Sequence, residues 1–101
     1  MSAMVLTLLV PVALKEDVIA AMLSHEPTAR VGFTAREVEG YGRDVDYDSV
    51  VEQVRGHTLS VEIVVTADDG DLRGLLDAIG DEFSGRGLRW RIVPAPAVGA
   101  L

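Results

Sequence analysis

Eight residues constrain this chain most. Leu59, Val61, Ile63 and Val65 alternate with Ser60, Glu62, Val64 and Thr66. A period of two in β-branched and aliphatic residues reads as a β-strand with one face turned to a core. A strand needs neighbours for its backbone hydrogen bonds, so the flanking sequence must supply them. Downstream, Asp68, Asp69 and Asp71 offer an N-cap and first-turn carboxylates for a helix. That helix carries Leu72, Leu75, Leu76, Ile79 and Phe83 at the spacing of a single apolar stripe. Gly74 and Gly80 weaken it by roughly 1 kcal/mol each relative to alanine, so its stability has to come from packing. Ser84-Gly85-Arg86-Gly87 is its exit. A last strand follows from Leu88 to Val93, with Leu88, Trp90 and Ile92 on the core face and Arg89, Arg91 and Val93 on the other.

The same order precedes the alternating strand. Met4 to Val10 is a nearly continuous apolar run ended by Pro11, the pattern of a strand buried on both faces. Leu14, Val18, Ala21 and Met22 fall at helical spacing behind Lys15, Glu16 and Asp17. A helix is expected from Lys15 to His25, stopped by Pro27. Arg30 to Glu39 reads as the second strand, ending at the pair Gly40 and Gly42. Asp44 to His57 then shows neither period and is polar and acidic, a long loop between the two halves.

The fold class that follows is α+β. A single domain over residues 1–101 has the ferredoxin-like order βαββαβ, with a four-stranded antiparallel sheet and two helices on one face. The long loop covers 41–57, and the segment 94–101 is a tail beyond Pro94. Both alternating sets of the first and third strands hold apolar residues, so the uncovered sheet face is expected to associate with further copies.

Charge and residue usage exclude several functions. A formal net charge of -7 on 101 residues, with no basic block, opposes nucleic acid and anionic membranes. The apolar start lacks a basic flank and falls short of the roughly 20 residues of a membrane span, so the default location is cytoplasmic, without direct membrane insertion. With no cysteine there is no thiol nucleophile or thiolate metal site. Asp44, Asp46 and Asp48 alternate like a calcium loop, but Ser49 stands where glycine is required and Arg55 where a carboxylate is required. His25 and His57 have no ligand neighbour at metal spacing. No nucleophile motif or complete phosphate loop is present, so the chain is read as a non-enzyme with no obligate cofactor.

The stretch Gly32-Phe33-Thr34-Ala35-Arg36-Glu37-Val38-Glu39-Gly40-Tyr41-Gly42-Arg43, then a long loop, then Glu62-Ile63-Val64-Val65, resembles the PII signal-transduction proteins. The shared pattern is Gly-x-Thr-x-x-Glu-Val-x-Gly-aromatic-Gly-Arg before the flexible T-loop. The short C-terminal half is similar to a small PII-like group encoded beside heavy-metal efflux systems. The resemblance implies a homotrimer with inward-facing sheets and a ligand cleft between subunits. It places Thr34 near the base of an adenine nucleotide effector and Gly40, Gly42 and Arg43 near its phosphate, where glycines let the backbone approach and an arginine forks onto oxygens. The phosphate loop is reduced to Ser84-Gly85-Arg86-Gly87, and Pro94 to Gly99 stand where the family has further arginines. Arg86 and Arg89 would then join Arg43 in a smaller anion site. The simplest structural role of Arg89 and Arg91 is instead pairing across the sheet with Glu37 or Glu62. The loop, with Tyr41, Asp44, Asp46, Tyr47 and Asp48, is implied to contact a partner such as a membrane transporter. Two alternatives remain: a CutA-like metal-homeostasis protein using His57 and loop carboxylates, and a structural trimer without a ligand.

Overall fold

The computed structural model describes residues 3–42 and 58–101. In chain order these form β1 (Ala3–Pro11), a 3-10 turn (Val12–Leu14), α1 (Lys15–Ser24), α2 (Glu26–Val31), β2 (Thr34–Gly40), β3 (Thr58–Asp68), α3 (Asp69–Phe83) and β4 (Arg89–Pro94). The strands make one antiparallel sheet in the order β2-β3-β1-β4. This is the expected ferredoxin-like arrangement, with β1 and β3 central and β2 and β4 as edges. Arg43, Asp44, Asp46, Tyr47, Asp48 and His57 lie outside the described residues, as does nearly all of the 41–57 loop.

The alternation read from the sequence sets the core. Leu6, Leu8 and Val10 of β1 and Val61, Ile63 and Val65 of β3 share one face and are almost completely buried. Against them pack Val18 and Met22 of α1 and Leu72, Leu75, Ile79 and Phe83 of α3. α3 starts where the carboxylates predict, with the Asp68 side chain accepting from the Gly70 N–H at 3.2 Å and Asp69 and Asp71 in the first turn. Arg73 reaches back one turn to Asp69, Nε to Oδ1 3.4 Å.

Three expectations need correction. Pro27 does not end regular structure; it sits in the first turn of a second helix, α2, which takes up Arg30 and Val31. Proline suits that position because its missing N–H would have no intrahelical acceptor there. The second strand therefore begins at Thr34, after Gly32 turns the chain at φ 79°. The open sheet face is also less apolar than expected. Val5, Leu9, Val64, Val38 and Val93 alternate on it with Thr7, Ser60, Glu62, Thr66, Arg36, Arg89 and Arg91, by the observed register. Finally, Trp90 lies on the helix side of β4 but is 52% exposed, because it sits on an edge strand that α3 does not fully cover.

Candidate functional site

The site residues expected from the sequence divide between the two edges of the sheet. On β2, Thr34 stands opposite Val64 and Gly40 opposite Thr58, at the two ends of the strand. Six residues of extended chain separate them by about 20 Å. On the other edge, β4 begins with Arg89 opposite Leu9, and the Ser84–Gly87 turn leads into it. The antiparallel pairings put Gly40, Thr58, Pro11 and Arg89 at one end of the sheet. Yet β2 and β4 are three strand spacings apart, about 14 Å. Within one chain, Gly40 and Gly42 share an end of the sheet with Arg86 and Arg89 but stand at the opposite edge, and Thr34 is remote from both.

Local forces position each piece. A side chain at Gly40 would bring its Cβ to 3.0 Å from Thr58 Cγ2, so glycine allows the close approach of β2 to β3 before the loop. Beyond it Tyr41 is 64% exposed, and its hydroxyl donates to Glu39 Oε1 at 2.9 Å. That hydrogen bond, with smaller contributions from desolvation and the Glu39 charge, raises the phenol above its ordinary value. In the opposite turn, Gly85 and Gly87 take φ 78° and 88°, the left-handed region, and Arg86 stands between them. The Arg86 N–H donates to the Phe83 carbonyl at 3.1 Å, and its guanidinium lies over the Phe83 ring at 5.8 Å. Arg86 has no ion pair among the described residues.

The expected pairing of Arg89 and Arg91 with Glu37 or Glu62 is overturned by strand order, which puts Glu37 on the opposite edge strand β2 and Glu62 on β3. Arg36, directly opposite Glu62, takes that carboxylate with both Nη2 and Nε, at 3.0 and 3.1 Å from Oε1. β1 intervenes between β3 and the two β4 arginines. Neither Arg89 nor Arg91 has an ion pair among the described residues. They are cations on the edge strand of an otherwise acidic chain, alongside Arg86.

Sequence reasoning missed the helix side of this edge. A pocket of about 200 Å³ opens between α3 and β4, walled by Leu8, Leu76, Ile79, Phe83, Leu88 and Trp90. The Arg73 guanidinium lies over the Trp90 ring at 6.0 Å. One signal was available: all 16 carboxylate side chains precede residue 83, whereas Arg86, Arg89 and Arg91 follow it. His25, expected only at a helix end, bridges α1 and α2 through Nδ1 and the buried Thr28 hydroxyl, 3.1 Å apart. Among the described residues no three His, Asp or Glu side chains are grouped to hold a metal, and no helix is long and apolar enough to cross a membrane.

A family model described as "Protein of unknown function (DUF3240)" matches residues 1–101. Among solved structures, the chain is similar to a DUF3240 family protein from Shewanella baltica, with a TM-score of 0.77 at 18% identity, covering 100% of this chain and 98% of that one. It is also similar to CPII, a nitrogen regulatory PII-like protein from Thiomonas intermedia described as bound to ADP, AMP and bicarbonate. That match has a TM-score of 0.71 at 13% identity and covers 100% and 98% of the two chains. At these identities the likeness is one of fold, and the fold is PII-like. No curated protein matches the chain.

Proposed function

The chain belongs to the DUF3240 family, and from that premise we propose that it is a PII-like regulatory protein: a cytoplasmic, non-catalytic homotrimer that binds a small anionic effector between subunits. The observation that carries this reading is the placement of Gly40 and Gly42 on one edge and Arg86 and Arg89 on the other, at the same end of the sheet. A ring of copies whose axis runs roughly along the strands keeps that end in common and sets β2 of one copy beside β4 of the next. The glycines of one subunit then face the arginines of its neighbour across the cleft between the two edges. Neither half suffices alone, so assembly and binding are linked.

The effector class follows from the chemistry of the halves. Backbone at a glycine pair and arginines that have no carboxylate partner among the described residues suit phosphate or carboxylate oxygens. The fold relative whose description names ADP, AMP and bicarbonate supports the same class. Only a short turn, Ser84 to Gly87, stands at the arginine edge, so a mononucleotide or smaller anion suits the site better than a triphosphate. The loop that begins at Tyr41 leaves directly from this cleft. An effector there biases its order and through it the contact with a partner, for which a membrane transporter is our candidate.

Calorimetric titration with AMP, ADP and bicarbonate tests the reading. Saturable heat is expected from at least one of them, and Arg86→Gln is expected to weaken it at least tenfold. Silence from all three, or binding unchanged in Arg86→Gln, overturns it.

A further inference from the structure

The pocket between α3 and β4 adjoins the arginine half of that cleft, and four observations bear on what it holds. Its larger side chains are Leu8, Leu76, Ile79, Phe83, Leu88 and Trp90, and Gly80, Ser84 and Gly85 complete a lining of about 200 Å³ with backbone and hydroxyl groups. Trp90, on the edge strand that the proposed assembly sets beside a neighbouring copy, lines the pocket and is 52% exposed in the single chain. Arg86, next in the chain after the lining residues Ser84 and Gly85, has its guanidinium over the Phe83 ring and no ion pair among the described residues, and the Arg73 guanidinium lies over Trp90. At the mouth stands Gly80, in the body of α3, where an added Cβ would meet nothing within 4 Å. Glycine is a poor helix former and no positive φ requires it here. Its missing side chain leaves the entrance open.

We propose that this pocket takes the apolar tail of a small carboxylate whose head pairs with Arg86. The volume lies below the 300–1,000 Å³ of pockets for drug-sized ligands, so it takes a group of about one leucine or phenylalanine side chain. A carboxylate fits the forked guanidinium in a bidentate pair. On the β4 side, residues 83–101 contain three arginines and no acidic side chain, whereas Asp77, Asp81 and Glu82 stand on the α3 side. The inference deepens the proposed regulatory site by naming an effector class for its β4 half. It shares only Arg86 with the nucleotide reading.

Trp90 is the single tryptophan, so its emission reports the pocket directly. Titration of the intact protein with 4-methylpentanoate is expected to give a saturable change, with binding about a hundredfold tighter than acetate from burial of the branched tail. The uncharged 4-methylpentanamide is expected to bind at least tenfold more weakly than the acid. Gly80→Leu, a change that favours the helix and fills the mouth, should abolish the response while circular dichroism stays native. Arg86→Gln should bring the acid to the level of the amide. Acetate binding as well as 4-methylpentanoate, equal binding of acid and amide, or the absence of saturation each overturns the proposal. Parallel titrations separate the two readings. AMP or bicarbonate binding without 4-methylpentanoate leaves the intersubunit site standing and sinks this one. Binding of 4-methylpentanoate to a protein that sediments as a monomer does the reverse.

Discussion

Replacing Gly80 by alanine should stabilise the protein. Gly80 lies within α3, which spans Asp69–Phe83, and its position is exposed. Alanine is favoured over glycine in a helix interior by about 1 kcal/mol, mainly because the unfolded chain has less backbone freedom to lose. Two effects could cancel this gain, a clash and a strained backbone. Neither is present: the new Cβ meets no atom within 4 Å, and Gly80 is not among the glycines with positive φ. No apolar burial adds to the gain, so the full expectation is about 1 kcal/mol. For a domain of this size that corresponds to a rise in Tm of roughly 4–8 °C. Thermal melts by circular dichroism at one fixed protein concentration measure it, since association would otherwise move the midpoint. An unchanged or lowered Tm would refute the reasoning, and would mean that another copy or a ligand occupies the space beside α3.

Other substitutions test other parts of the structure. Gly32→Ala places a side chain at φ 79°, in the turn between α2 and β2, and should cost about 1–2 kcal/mol by urea denaturation although nothing lies within 4 Å of the new atom. Phe83→Ala empties the buried C-terminal end of α3, where Phe83 is 2% exposed, and should cost about 3–5 kcal/mol in the same assay. In a Tyr47→Phe background, the ultraviolet absorbance titration of Tyr41 should have its midpoint above the ordinary value of 10.0, and Glu39→Gln should lower it. A phenol raised in the folded state gains its hydrogen bond below the unfolded pKa and loses it as pH rises through the folded one, so any contribution of this pair disappears only in alkali.

The centre of the sheet was legible because β3 obeys a period of two and α3, which packs on it, carries a single apolar stripe. Leu59 to Val65 and Leu72 to Phe83 each admit one regular reading, and both stand in the structure as expected. α2 was not legible, since six residues are too few to display a helical period and Pro27 reads as a stop until its place in the first turn is known. The pairing of Arg89 and Arg91 failed for a different reason. Alternation tells which face a residue takes, but only strand order tells which residue lies beside it. With β1 between β3 and β4, Glu62 meets Arg36 instead. Strand order also explains why the candidate site was half visible. The glycines before the loop announce themselves in sequence, whereas their separation from Arg86 follows from the placement of β2 and β4 on opposite edges. The α3–β4 pocket depends on how far the helix overhangs an edge strand, which no local pattern encodes.

The proposed function rests on one arrangement. The glycines that begin the loop and the arginines around the β4 turn stand on opposite edges of the sheet in a single chain, and the proposal requires a neighbouring copy to bring them together. The mass of the protein in solution tests this most directly. Light scattering across an eluting peak at micromolar concentration should give three times the 10.8 kDa chain mass. A monomer of 10.8 kDa under the same conditions would contradict the intersubunit site.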